Sequence, residues 1–361
     1  MLSTRERVLP RAASSSGGWF LLKADIDEPD SRLRSLRRPD GAHATPSVPR
    51  LASAVGAAVG VPVRAIESRA QPGTFHWVIC ALLEDDRRVV VRINRLRHPL
   101  LTAGLLLDAR LGELLPAQGL RVAGTLGIDT RCGTLPFEFA VFEHIDGVRA
   151  DEVDADEERT RSALRSLGSY LRAVHEIRLP GSGPVTVRPD GSLYGPLADW
   201  PAFLRCRVDE HLAVCLGAGS ISAAEAAEVR ETFAHLEAVA VRDADRLLHG
   251  DAGPANVLLD DADRIHLVDW EDALVGDPLF ELASTASFHP PARWPALFEG
   301  YGVMKDTVVG HDRAFWVYML RIALARTVMR QRFGIADTTG RPPASTRIQR
   351  ALAALRGEQF L

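Results

Sequence analysis

Apolar and polar positions change their period along the chain, and the changes mark its organisation. Residues 49–59 are alanine-rich with spaced apolar positions and predict a short helix ending near Gly60. Two strand-like runs follow, 77–82 and 89–93, joined by the polar stretch Glu84-Asp85-Asp86-Arg87, so a hairpin is predicted. A Leu/Ala-rich helix is expected from 101 to 118, stopped by Gly119, and another strand from 137 to 145, closed by the turn pair Asp146-Gly147. Beyond Gly147 the pattern is mostly helical. Leu164, Leu167, Leu171 and Val174 recur at the spacing of one buried face within a helix over 156–177. Residues 178–196 are rich in Gly and Pro and read as a loop. Ser222 and Glu225 form a capping box that opens a helix running to about Val241. A strand–loop–strand region at 246–270 interrupts the helices, and helical segments close the chain near 293–302, 313–332 and 345–356. No internal repeat is visible.

Residues 1–46 differ from the rest. They hold a Ser/Gly run at 14–18, charges of both signs and several prolines, and only 19–22 offers an apolar run. A mobile extension is expected there; an arm that docks on the body or on a second subunit is the alternative.

Composition narrows the class. With 361 residues the chain is long enough for two domains or lobes. Its 46% hydrophobic and 25% charged residues exclude wholesale disorder. A net charge of -4 gives no global drive toward nucleic acid or anionic lipid, and the basic residues are not interleaved with aromatics as on a nucleic-acid platform. Neither nucleic acid nor a membrane is therefore expected as a partner. No two of Cys80, Cys132, Cys206 and Cys215 are spaced as C-x-x-C, which argues against a zinc ribbon or a thioredoxin-type motif. No apolar run approaches the ~20 residues that span a bilayer, so a soluble cytoplasmic protein is expected. Of the 43 basic residues only Lys23 and Lys305 are lysine. That bias decides something only once a lysine is expected at a particular place.

The chemistry concentrates in 247–271. Two apolar runs flank a loop carrying His249, Asp251 and Asn256, and Asp269 ends the next apolar strand. Carboxylate and amide oxygens converging at strand ends form the hard-ligand set that suits Mg²⁺ held partly by substrate phosphates. Phosphoryl transfer needs such a set: one carboxylate to orient the attacking hydroxyl and accept its proton, and other oxygens to hold the metal. Asp251 takes the first role here, and Asn256 and Asp269 the second. An H-x-D pair also occurs in metallohydrolases, but no further His/Asp cluster at ligand spacing accompanies this one.

The run from His249-Gly250-Asp251 through Asn256, with Val268-Asp269-Trp270-Glu271 and Gly276-Asp277-Pro278-Leu279-Phe280-Glu281, resembles the aminoglycoside phosphotransferase family, which shares the protein-kinase-like fold with choline kinases. The resemblance covers about residues 48–305. It implies a bilobal α+β fold, with a small antiparallel-sheet N-lobe that binds nucleotide (47–146) and a mostly helical C-lobe with the catalytic loop and acceptor site (147–361). It also implies ATP, with GTP not excluded, and Mg²⁺. Arg92 occupies the strand position that grips the phosphates, where its fork can bind bidentately. Its acidic helix partner is Asp108 or, alternatively, Glu113. Backbone groups near Gly73 and Thr74 would face the phosphates, although the family's usual Gly-Gly-x-x-Asn is missing. Backbone atoms near Glu143 and Ile145 would meet adenine. His249 braces the loop, and Asp277 and Glu281 support it from a helix start.

The resemblance also limits the acceptor. A protein kinase would carry a lysine two residues after the catalytic aspartate, and that position is Gly253; D-F-G and A-P-E are absent as well. A small-molecule alcohol is thus expected, first an aminoglycoside-like antibiotic, alternatively a sugar, cyclitol, choline-like or amino alcohol substrate of a metabolic kinase. Asp199, Asp209, Glu210 and Asp272 read first as solvated surface charge and second as candidates for meeting amino groups. A reading from another class is a nucleotide-binding pseudokinase or interaction protein. A monomer or homodimer is expected.

Overall fold

In the computed structural model, the structure describes residues 46–69, 76–95, 99–236, 244–304, 313–333 and 343–357. The segment expected to be a mobile extension, 1–46, lies outside them apart from its last residue, as do Gly73 and Thr74.

The first part is a five-stranded antiparallel sheet with a helix on each face. Helix α1 (Val48–Val59) ends at Gly60, whose φ of 78° is the left-handed conformation a C-cap demands. The strands are β1 (Val63–Arg69), β2 (His76–Leu83), β3 (Arg88–Asn94), β4 (Thr125–Asp129) and β5 (Phe139–Glu143), in the order β1-β2-β3-β5-β4. Helix α2 (Pro99–Leu114) connects β3 to β4. The β2–β3 hairpin matches the expected one, but β1 and β4 were not legible. Both carry charged or small residues among few apolar ones, and β1 pairs with β2 through two register shifts. Period-2 alternation assigns the two faces of β3. Val89, Val91 and Ile93 join the cluster that includes α1 residues Leu51 and Val55. The alternate positions Arg92 and Asn94 face the other way, toward α2, where they meet Asp108 and, through Glu138, Thr102.

The second part is mostly helical. After β6 (Val148–Arg149) comes α3 (Glu157–Val174), capped by Asp156, whose side chain accepts the Arg159 amide. The 178–196 stretch is not a plain loop: it forms β7 (Gly183–Pro184) and the two-residue pair β8 (Thr186–Val187) and β9 (Leu193–Tyr194). Helices α4 (Trp200–Arg205), α5 (Val208–Gly217) and α6 (Ala223–Ala234) follow, the last with the capping box in place. The first two were not expected; α4 is short, and its Pro201 reads locally as a breaker. Then come β10 (Arg246–Leu248), β11 (Val257–Leu259), β12 (Ile265–Leu267) and β13 (Leu274–Gly276), and the helices α7 (Pro278–Ala286), α8 (Trp294–Tyr301), α9 (Arg313–Phe333) and α10 (Ala344–Leu355).

Two small sheets, β10-β13-β7 and β12-β11-β6, hold the chemistry-bearing loops between them. Glycine lets α3 and α8 approach closely. A Cβ on Gly168 would stand 2.2 Å from the Leu297 carbonyl oxygen, and one on Gly300 2.0 Å from that of Arg165. That packing sets His175, at the end of α3, against Tyr301, at the end of α8. No helix among the described residues is long and apolar enough to cross a membrane.

Candidate active site

Arg92 is buried at the centre of a cluster of acids drawn from both parts of the fold. It is ion-paired with Asp108 of α2, lies 2.9 Å from Asp269 Oδ1 and is 3.3 Å from Glu271 Oε2. His76, the first residue of β2, bonds the same Glu271 oxygen at 2.8 Å. Burial alone would weaken the guanidinium's charge, but Asp269, Asp108 and Glu271 outweigh it and hold the Arg92 pKa above its ordinary value. Burial also pushes the Asp108 carboxyl up. Yet both its oxygens accept, one from Arg92 and one from the Trp270 N–H at 2.9 Å, and protonation would forfeit one of those bonds. Arg92 thus pairs with Asp108. The alternative, Glu113, instead pairs with Arg110 on the helix surface at 2.8 Å.

The loop 249–256 spans β10 to β11. Asn256 donates its Nδ2 to the Asp251 carbonyl at 2.9 Å and to Asp251 Oδ2 at 3.1 Å. This fixes the amide orientation and turns the Asn256 oxygen away from Asp251. The Asn256 carbonyl accepts the Val268 amide, which ties the loop to the strand end that carries Asp269. Asp269 itself has a left-handed φ of 67°, a cost that aspartate bears better than most residues and that aims its carboxylate back toward Arg92. Asp251 and Asp269 are the open members, with side chains 39% and 36% exposed.

His249 is fully buried and braces the loop. Its Nε2 donates to the Val268 carbonyl at 3.0 Å, and its Nδ1 accepts the Asp251 amide at 3.3 Å. Both ring nitrogens are thus engaged by the loop and the strand end, which suits a brace and not an acid–base catalyst. Behind it, Glu281 of α7 accepts the His249 and Gly250 amides at 2.8 and 2.7 Å and the His175 ring at 2.9 Å. Gly250 has φ 83°, and a Cβ there would stand 2.0 Å from the Asp272 carbonyl oxygen, so only glycine fits this turn. Asp277 caps α7 and accepts from the Tyr318 hydroxyl at 2.7 Å.

Burial raises the Glu281 pKa, but its hydrogen bond from His175 and the nearby histidines lower it further, and the net shift is downward. A depressed carboxyl contributes stability above its unfolded pKa and loses it as the pH falls through the folded one. Glu281→Gln places a donor against one of three donors. It should cost about 2–3 kcal/mol near neutral pH, as a buried hydrogen bond to a charged group does. That deficit should shrink as the pH drops below the ordinary glutamate value of 4.5. Urea unfolding of both proteins between pH 7 and pH 3 measures it, and a deficit that does not vary with pH would refute the charged role.

The remaining candidates fall out unevenly. The Glu143 amide donates to the Gly124 carbonyl at 2.8 Å. Asp199 caps α4 by accepting the Ala202 amide, and Asp209 pairs with Arg230; Glu210 is exposed and Asp272 buried. Sequence reading missed His76, Glu271 as an Arg92 partner, and Arg326 of α9, whose Nη2 lies 3.7 Å from Asp251 Oδ1. His76 falls at the asparagine position of the Gly-Gly-x-x-Asn pattern, a signal that was available. Nothing in a helix some 70 residues downstream of the loop marks Arg326.

The donor set fits a divalent cation that keeps water and phosphate ligands. Three carboxylates surround one guanidinium, which leaves excess negative charge, and the Asp269 carboxylate and Asn256 amide oxygen are hard donors. No group of three or more His, Cys, Asp or Glu side chains able to hold a metal occurs among the described residues.

No curated protein sequence matches the chain significantly. Three solved structures are similar in fold. A thermostable mutant of the aminoglycoside phosphotransferase APH(4)-Ia, in ternary complex with ADP and hygromycin B, is 20% identical, with 86% of this chain and 99% of that one covered and a TM-score of 0.65. A protein assigned as a fructosamine-3-kinase from Thermobifida fusca is 20% identical over 87% of this chain and 100% of that one, with a TM-score of 0.61. The choline kinase LicA from Streptococcus pneumoniae is 15% identical over 85% and 98%, with a TM-score of 0.54. All three share the protein-kinase-like fold, an antiparallel sheet followed by a helical part. The model of the phosphotransferase enzyme family designated APH matches residues 80–315, a span that runs from β2 into α9 and takes in Arg92, Asp108, Asp251, Asn256, Asp269 and Glu281. The chain therefore belongs to the APH phosphotransferase enzyme family and is a small-molecule phosphotransferase.

Proposed function

We propose that the protein moves the γ-phosphate of ATP, with Mg²⁺, to a hydroxyl of a small molecule. The observation that carries this reading is the convergence of an open Asp251, an Asn256 whose amide oxygen is turned outward, and an Asp269 held by the buried Arg92. In this reading Asp251 orients the acceptor hydroxyl and takes its proton, while Asn256 and Asp269 hold the metal. When bound, Mg²⁺ supplies the charge that neutralises the triphosphate. Arg92, set by Asp108, faces the phosphates. Backbone groups near Glu143 and Ile145 meet the adenine.

For the acceptor, an aminoglycoside-like antibiotic is the first reading, supported by the family and by hygromycin B in the ternary complex of a structural neighbour. A sugar or cyclitol with no ammonium beside the accepted hydroxyl is the second, favoured by the Arg326 cation 3.7 Å from Asp251. An ADP-release screen over aminoglycosides, sugars, cyclitols and amino alcohols, followed by NMR location of the new phosphoester, separates them. Failure of every alcohol to give turnover would favour a nucleotide-binding pseudokinase, and turnover with any of them excludes it. The metal role has its own test. Asp269→Ala should abolish the Mg²⁺-dependent part of ATP binding in calorimetry, and an affinity unchanged with and without Mg²⁺ would count against it.

A further inference from the structure

We infer that Arg326 is the acceptor-side cation of the site, giving the phosphoryl group in transit the positive charge that no lysine provides from the catalytic loop. The inference rests on the phosphotransfer reading above. The place of that lysine is Gly253, two residues after Asp251. A side chain there would have to displace the Phe288 ring, since a Cβ would stand 2.8 Å from it. The same ring carries the Arg326 guanidinium, whose central carbon lies 3.9 Å from the ring centroid. Nη2 donates to Ser284 Oγ at 3.1 Å, and Nη1 donates to Ser287 Oγ. An aromatic face and two hydroxyls, all from α7 and the turn after it, therefore mount one arginine of α9 behind the loop. Its side chain is 9% exposed, against 39% for Asp251, so a buried cation reaches an open carboxylate.

The separation matters. At 3.7 Å the Nη2–Oδ1 contact is longer than a hydrogen bond, so Arg326 acts on Asp251 through charge and leaves the carboxylate able to bind a hydroxyl. In the transfer, the hydroxyl proton passes to the Asp251 carboxylate and the acceptor oxygen's electron pair forms the bond to Pγ. The bond from Pγ to the β,γ-bridging oxygen breaks, and its electron pair leaves with ADP. Asp251 ends neutral. Arg326 loses its anionic partner in the same step that brings phosphoryl oxygens to the acceptor side. Its attraction shifts from carboxylate to phosphoryl, which stabilises the transition state more than the ground state. The mount fixes the guanidinium beforehand, so little reorganisation is needed.

The test compares wild type, R326M and R326K, each checked for folding by thermal melting. Calorimetry measures the affinity for Mg·ADP alone and for Mg·ADP with aluminium fluoride, a mimic of the phosphoryl group in flight. Mg·ATP hydrolysis by water is followed in parallel. Wild type should gain affinity with aluminium fluoride. R326M should lose on the order of 10²-fold of that gain, as when one transition-state donor is removed, with Mg·ADP affinity unchanged. R326K should recover part of it. Should R326M fail to fold, S284A/S287A loosens the mount instead: a smaller gain supports the inference and an unchanged gain overturns it. A folded R326M that keeps the full gain, or a wild type that binds Mg·ADP with no gain, also overturns it while leaving the phosphotransfer reading in place. A wild type that binds no Mg·ADP sinks both.

Discussion

Asp251→Asn is expected to lower phosphotransfer by about 10³-fold while the affinity for Mg·ADP stays as in wild type. The magnitude is that of a general base positioned on the reacting hydroxyl. The substitution is nearly isosteric, so the Asn256 amide keeps the Asp251 carbonyl as an acceptor and the loop keeps its shape. The change lies in charge: an amide cannot take the hydroxyl proton. Asp251 also makes no contact with Arg92, which pairs with Asp108, Asp269 and Glu271, so the nucleotide side of the site is left intact. Initial rates of ADP release with an identified acceptor, beside calorimetric binding of Mg·ADP, check both halves. An Asp251→Asn protein that retains wild-type turnover would remove Asp251 from the chemistry.

The geometry of the 249–256 loop was legible in sequence because its contacts are local. Asp251 and Asn256 sit five residues apart on one turn, and the glycine at 250 meets a backbone conformation that no side chain permits. The brace behind them was partly legible, since Glu281 opens a helix just after the Gly-Asp-Pro turn. What a single sequence could not show is which distant segments close on that loop. Arg326 arrives from α9 with no local signal of its partner, and His76, which opens β2, carries only its place in the Gly-Gly-x-x-Asn pattern. The same reason explains the missed strands. β1 and β4 are edge strands, paired on one side only in the β1-β2-β3-β5-β4 order, so they need no continuous apolar run. Arg92 shows the opposite case. A charged residue at a position of β3 that alternation assigns to α2 is costly unless an acid waits there, and Asp108 on the buried face of α2 is that acid.

Arg92→Met tests what that acid cluster needs, and it should damage both stability and nucleotide binding. It leaves Asp108 and Glu271 buried with their main cation gone, and breaking a buried pair by removing one partner costs about 3–5 kcal/mol. Arg92→Lys should recover only part of this, because Arg92 reaches Asp108 and Asp269 with two separate nitrogens of a rigid fork, and lysine offers one nitrogen in their place. The double substitution Arg92→Met with Asp108→Leu separates the roles. A well-packed apolar pair can replace a buried ion pair at little cost, so much of the stability should return. Affinity for Mg·ATP should not, since the Arg92 guanidinium no longer faces the phosphates and Asp269 has lost the group that aims it. Urea unfolding and calorimetry on the three variants read the two effects independently. If the double variant regained nucleotide affinity together with stability, Arg92 would be a structural cation alone, and the phosphate-gripping role would have to pass to another residue.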